Sequence, residues 1–582
     1  MLFGVHSESI TKCFFNIKHH FNLSCALQSQ EWSNLLWALA TLQKNGVDMG
    51  SSSNVSAIVA AGAVVMEQRI STAQPQNLSN TLWALATLGW HCDDSILTKL
   101  VTAMVQRSST VKPQALSNTL WALATLGWHR DDSTLTKLVT AMVQRISTAK
   151  PQELSNTLWA LAALGWHRDD SILTELVTAV VQRSSTAKPQ ELSNTLWALA
   201  TLGWHSDDST LTKLVTAMVQ RISTATPQAL SNTLWALATL GWHRDDSILT
   251  KLVTAMVQRI SSAKPQELSN TLWALGQFDW YDAGTIKALA AAIAQSSSSA
   301  KPQDMSNALQ ALGSLRWYDA AVYSQLVGGL LQKISRDNKP GQSLSNALFS
   351  CALSSHFDSS VDALAAWGSQ QDLQQWNEQE VSNTLFAWAM LTATGKGGDT
   401  ASMRSLAQQV FKEASSRGVS GFSARSDWAR DMGKLASDHW EAQHVGLPGG
   451  GLSDSKLLQA AEEHQAERVK SISKERSRIT RKVAAALQGH YEVQAALVHG
   501  YHVLQVPHPI CPRGFVIAVT QRDHDYLCHP AGQVYGKAAL RMAQVKRRCD
   551  VLVLCDESEL SGSIEQQRGV LLDRLKEAML EL

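Results

Sequence analysis

Asn80, Asn118, Asn156, Asn194, Asn232 and Asn270 return every 38 residues, and three positions before each stands a residue that changes: Asn77, Ala115, Glu153, Glu191, Ala229 and Glu267, with Asp304 in a looser copy. An amide can donate and accept at the edge of a nucleobase, and a variable neighbour one helical turn away could discriminate between bases. This pair of columns is a candidate base-reading ladder. The alternative is that the asparagines bond to loop backbone and the variable column is plain exposed surface.

Arg107, Arg145, Arg183, Arg221 and Arg259 form a second column, with Lys112, Lys150, Lys188 and Lys264 just ahead of the following prolines. One cation per repeat suits one phosphate per nucleotide along a single strand. Helix C-termini also attract cations through the helix dipole, which gives the arginines a second reading. Tryptophan is the third repeated group, once at Trp83 and once at Trp90 in that copy. Large aromatics dominate helix packing, so both columns are assigned to burial between repeats, with base stacking as the other use.

These residues need elements to hold them. Pro75, Pro113, Pro151, Pro189, Pro227 and Pro265 share the 38-residue period, and looser copies of the Ser-Asn pair stand at Asn34, Asn307, Asn346 and Asn383. A fixed period of this length marks units that bury their apolar faces only by stacking on one another. Each unit reads as two helices. In the Pro75 copy a proline-started helix carries Leu78, Leu82 and Leu85 and stops at Gly89. Asp93, Asp94 and Ser95 then start a second helix with Ile96, Leu97, Leu100, Val101, Met104 and Val105. Winding the first helix at 100° per residue puts Gln76, Asn77, Asn80, Ala84 and Thr87 on the face opposite the leucines. The fold class is therefore mainly α, an α-solenoid of about ten units.

The 582 residues carry 51 basic and 50 acidic side chains, so any nucleic-acid surface must be local. The eight cysteines lack a paired framework, which fits free thiols. No apolar run approaches the ~20 residues that cross a bilayer, and no membrane span is expected. The first thirty residues hold one acid, Glu8, and several hydroxyl residues but no arginine. They read either as a transit-peptide-like leader or as an ordinary helix.

The unit "PQxLSNTLWALATLG", with its Leu120–Gly127 core, resembles the octotricopeptide repeat over residues 31–410. That family comprises sequence-specific binders of single-stranded RNA in algal organelles, acting on the stability, processing or translation of transcripts. The resemblance implies a chloroplast location, with the mitochondrion as alternative, and an RNA partner in a ribonucleoprotein complex. Residues 411–500 read as a helical and linker region with a flexible "GLPGGGLSDS" at Gly446 and a basic helix from Arg468 to Lys482.

Residues 501–582 form a separate small α/β module in which "FVIAVT" and "DVLVLC" are strands around a helix near Lys537–Arg548. The order resembles the RAP domain, which is related to restriction endonucleases. The acidic positions of its motif fall here on Ala518 and Thr520, and metal-dependent cleavage needs carboxylates there. Cys511, His524, Cys528 and His529 lack paired zinc spacing. No metal, cofactor or catalysis is expected. The resulting expectation is an RNA-binding solenoid, and the alternative is a protein-binding helical scaffold.

Overall fold

The computed structural model describes residues 28–47, 52–90, 94–128, 132–166, 170–204, 208–242, 246–422, 428–471, 483–487, 494–498, 501–508, 511–520, 536–546, 551–560 and 563–580. The chain divides into two units, Met1–Arg259 and Ile260–Leu582. Within each, consecutive helix pairs pack neighbour on neighbour, the arrangement of an α-solenoid.

In the first unit the helices that open the repeats are Pro75–Thr87, Pro113–Thr125, Pro151–Ala163, Pro189–Thr201 and Pro227–Thr239, preceded by Ser29–Lys44. The second helices are Asp94–Gln106, Asp132–Val143, Asp170–Gln182, Asp208–Gln220 and Asp246–Val257, preceded by Ser52–Gln68. Proline holds the first helical turn, where its missing N–H is no loss. Leu78, Leu82 and Leu85 are fully buried, each contributing about 1.5–3 kcal/mol. The Ser and Thr of each "LSNT" word are buried too. Ser155 Oγ donates to Gln152 O and Thr157 Oγ1 to Glu153 O, so these small polar side chains lie between neighbouring first helices with their hydroxyls satisfied.

Gly89, Gly127, Gly165, Gly203 and Gly241 end these helices with φ of 61–65°, the left-handed conformation that glycine takes without strain. The next residue is always the second tryptophan. Trp166 N donates to Leu161 O at 3.0 Å, which closes the last turn and folds the indole inward. Trp128, Trp166 and Trp242 are accordingly buried, as the packing assignment expects, while Trp90 and Trp204 are half-buried.

The second unit continues the pattern with first helices Pro265–Phe278, Pro302–Ser314, Pro340–Leu353 and Glu378–Ala393. Helix pairing goes on past the expected end at residue 410. Trp428–His444 packs on Glu378–Ala393 and on Ser455–Ser471. The stretch read as a linker is the turn of this pair and is tied down: Gln408 Nε2 donates to Pro448 O, Leu452 N to His439 Nδ1 and Ser453 N to Ser415 Oγ. Lys474 to Lys482 of the basic helix lie outside the described residues.

The C-terminal module holds a four-stranded sheet: β1 (Gln494–Val498), β2 (Tyr501–His508), β3 (Cys511–Thr520) and β4 (Val551–Asp556), in that spatial order. The expected strand, helix, strand and terminal helix are present as β3, Gly536–Lys546, β4 and Ile564–Leu580. β3 and β4 pair in parallel, as a helical crossover requires. The antiparallel β1–β2 hairpin was not anticipated. Its strands are short and lack a strong turn signal between Val498 and Tyr501.

Candidate nucleic-acid interface

Each first helix in the first unit leaves one stripe less than fully covered. In the Pro189 copy the stripe is Gln190, Asn194 and Trp197, at i, i+4 and i+7, while Leu192, Ser193, Thr195, Leu196, Ala198 and Leu199 are buried. The Asn column is thus accessible in every close copy: Asn80, Asn118, Asn156, Asn194, Asn232 and Asn270 are all half-buried. Gln76 Nε2 donates to Asn80 Oδ1, and Gln190 Nε2 to Asn194 Oδ1, each at 2.9 Å. These bonds orient the asparagine amide without burying it.

The first tryptophan column packs from repeat to repeat, as assigned, but is only partly enclosed. Trp37, Trp83, Trp121, Trp159, Trp197 and Trp235 form a ladder across the first unit, with ring centroids 6.1–6.3 Å apart and planes 28–35° apart. Trp37 is 47% exposed and the others are half-buried. Sequence reasoning grouped this column with the buried one because indole suits both uses. The distinguishing signal was register: Trp83 lies three residues after Asn80, on the open face, whereas Trp90 follows the stop glycine.

The variable column sits elsewhere than expected. Ala115 and Ala229 are buried, as is Ala84, which the helical projection had placed on the outer face. Glu153, Glu191 and Glu267 turn back to their own helix starts. Their Oε2 atoms accept the backbone N–H of Lys150, Lys188 and Lys264 at 2.8 Å, and Asp304 does the same for Lys301 at 3.0 Å. In the Pro227 copy the cap comes instead from Thr226, whose Oγ1 accepts from Ala229 N. Asn77 is half-buried, and Thr81 Oγ1 donates to its carbonyl. Variation at this position follows helix capping rather than an outward face.

The arginines are engaged within the protein. Arg183 Nη1 donates to Ala179 O at 2.9 Å in its own helix, and Nη2 to Ile146 O at 3.0 Å in the turn of the preceding repeat. Arg107 reaches Ala103 O and Ile70 O, Arg259 reaches Ala255 O and Ser223 O, and Arg145 and Arg221 reach Ser109 O and Ser185 O. Lys333 serves the same end in the second unit, donating to Ser297 O and Ala300 O. These cations cap one helix C-terminus and stitch it to the repeat before. The exposed cations at this same end of the repeats are Lys112, Lys150, Lys188 and Lys264, each at a helix start.

A prediction follows for the stitch. Arg183→Gln should destabilise the protein by about 2 kcal/mol, because two main-chain carbonyls lose a charged donor. Urea unfolding measures it, and a midpoint unchanged from wild type would show the bonds to be dispensable.

In the second unit the stripe changes. The tryptophan position becomes Trp273, Gln310, Phe349 and Phe386, and the two phenylalanines stack at 6.2 Å. A polar cleft of about 570 Å³ is lined there by Gln310, Gln342, Asn346, Trp376 and Gln379. The end of the stripe is covered. Lys434 Nζ donates to Asn383 Oδ1 at 2.8 Å, and both Lys434 and Lys537 lie 5.4 Å from the Phe349 ring. Gln544 of the C-terminal module bonds to Ser437 through Nε2, so that module packs directly on the last helix pairs.

The other candidates resolve differently. Ala518 is buried in the sheet, while His524, Cys528 and His529 lie outside the described residues. Cys351 is enclosed, and burial pushes its thiol well above the usual range, which makes it a packing residue. Among the described residues no cluster of His, Cys, Asp and Glu is arranged to hold a metal, and no helix is long and apolar enough to cross a membrane.

The fold and this surface define a helical-repeat protein with a periodic amide and indole stripe. Residues 93–361 match the family described as RNA-editing substrate-binding complex 8 protein, and residues 25–136 match the N-terminal domain of the Tbc2 translation factor. Each match covers less than half of the chain. The chain is similar to both. No curated protein matches it.

Proposed function

We propose that this chain binds single-stranded RNA along the open stripe of its first helices and acts without catalysis in the post-transcriptional control of organelle transcripts. The observation that carries the reading is the ladder of Trp37 through Trp235 at 6.1–6.3 Å, flanked in every rung by an accessible asparagine. Bases stack on indole faces at about 1–3 kcal/mol each, and amides meet base edges. The two matched families are named for RNA-editing substrate binding and for translation, which supports an RNA partner within a protein complex. The octotricopeptide and RAP assignments, and an organellar setting in chloroplast or mitochondrion, belong to this proposal through the repeat word and the strand and helix order of the C-terminal module.

In this reading phosphates run along the lysine edge. Lys112, Lys150 and Lys188 stand at helix starts, where the dipole also favours an anion. Changing the three to glutamine should weaken binding to all RNAs and reduce the slope of log affinity against log salt by about two to three. Arg107, Arg145 and Arg183 changed together should leave that slope intact. A salt slope lost with the arginines and kept without the lysines reverses the assignment.

The test of the function itself is crosslinking of the full chain to RNA in cells of its source, followed by sequencing, in parallel with protein capture. Enriched transcripts support the proposal. Enriched proteins with no RNA would make the stripe a cradle for an extended peptide, the scaffold reading.

A further inference from the structure

The six rungs of the first unit carry the same glutamine, asparagine and indole. Each indole has an asparagine three residues before it and a glutamine seven before it: Gln30, Asn34 and Trp37 begin the series, and Gln228, Asn232 and Trp235 end it. Each step between indoles is the same within 0.2 Å, from 6.1 to 6.3 Å. Asn77 is half-buried at its rung and Ala163 replaces the threonine of the other copies, but the most variable residue is otherwise withdrawn. It is buried in Ala115 and Ala229, and in Glu153 and Glu191 its carboxylate is held by the helix's own start.

From this we infer that the first unit recognises a run of one and the same nucleotide, a homopolymeric tract of single-stranded RNA, rather than a mixed sequence. The inference rests on the RNA-binding reading above and specifies its ligand. Base discrimination in a repeat protein comes from side chains that differ between units. Where glutamine, asparagine and indole are repeated at constant spacing, every unit offers the same donors, acceptors and stacking face, so every unit prefers the same base. A uniform site also has no internal register. A long tract can bind in several frames, each offset by one nucleotide, so the observed affinity rises with tract length even after all rungs are filled. The second unit, with Trp273, Gln310, Phe349 and Phe386 in the indole position, lies outside this uniformity. It would contribute preferences of its own to any flanking sequence.

The experiment measures binding of the full chain to single-base RNA oligomers of about a dozen nucleotides, one for each base, and to a scrambled mixed oligomer of that length. The guanine oligomer is kept unfolded in lithium buffer. One homopolymer should bind at least about 100-fold tighter than the mixed oligomer, since each mismatched rung weakens binding by about tenfold or more. Removal of Pro151–Lys188, one whole repeat whose neighbours present matching faces, should shorten the protected tract by one nucleotide and leave the preferred base unchanged. Equal binding of all homopolymers would overturn the inference and leave sequence-neutral RNA binding. A selected motif with different bases at defined positions would overturn it while keeping a sequence-specific RNA function. Failure to bind any RNA would remove the function proposed above and this inference together.

Discussion

Trp121, Trp159 and Trp197 replaced together by alanine are expected to lower RNA affinity at least about 100-fold, since each lost stacking face is worth about 1–3 kcal/mol. The three indoles occupy successive rungs, so their removal opens a gap in the middle of the ladder. Their loss should affect folding far less than loss of the buried column. The ladder indoles are half-buried, whereas Trp166 is 3% exposed at the turn between the two helices of its repeat. Phenylalanine at the same three positions should restore much of the binding, because it keeps a stacking face. Circular dichroism separates the two effects. A folded triple-alanine variant with wild-type affinity would remove the ladder from the interface. Trp166→Ala is the control that should unfold its repeat, at about 3–5 kcal/mol for an enclosed aromatic.

The second large effect concerns pH. Asp438 and Glu441 lie fully buried beside Lys434, where the C-terminal module meets the last helix pairs. Burial raises the Asp438 carboxyl well above the usual range. The nearby Lys434 ammonium opposes that shift only in part, and Glu441 adds to it. A raised carboxyl binds more protons in the folded than in the unfolded state at any pH between the two pKa values. Stability therefore falls as pH rises from about 4, the unfolded value, towards the folded one. Asp438→Asn keeps the shape, removes the buried charge and should raise the melting temperature at pH 8 more than at pH 5. A variant whose melting temperature is lowered equally at both values would mean that the carboxylate is ionised and paired in the fold. The position bears on function because Lys434, one turn away, covers Asn383 and Phe349 at the end of the stripe.

Periodicity alone determined the repeat, its two helices and the leucine core, since stacking of identical units leaves few places for Leu78, Leu82 and Leu85 to go. The left-handed stop at Gly89 and the order of β3, helix, β4 and terminal helix were legible for the same local reasons. The accessibility of the asparagine column was legible too, from helical phase. Tertiary structure decided everything that depends on a neighbour. Helix projection gives one face per helix, but Ala84, Ala115 and Ala229 are buried in the stack of repeats, which no single-helix wheel contains. Arg183 looked free for a phosphate until the carbonyl of Ile146, thirty-seven residues earlier, came within 3.0 Å of it. Two tryptophan columns with the same side chain differ in enclosure: the one that follows the left-handed turn is buried at Trp128, Trp166 and Trp242 and half-buried at Trp90 and Trp204, whereas no indole of the helix column is fully buried. Local sequence sets phase and propensity. Which exposed positions remain exposed is settled only when the neighbouring copy arrives.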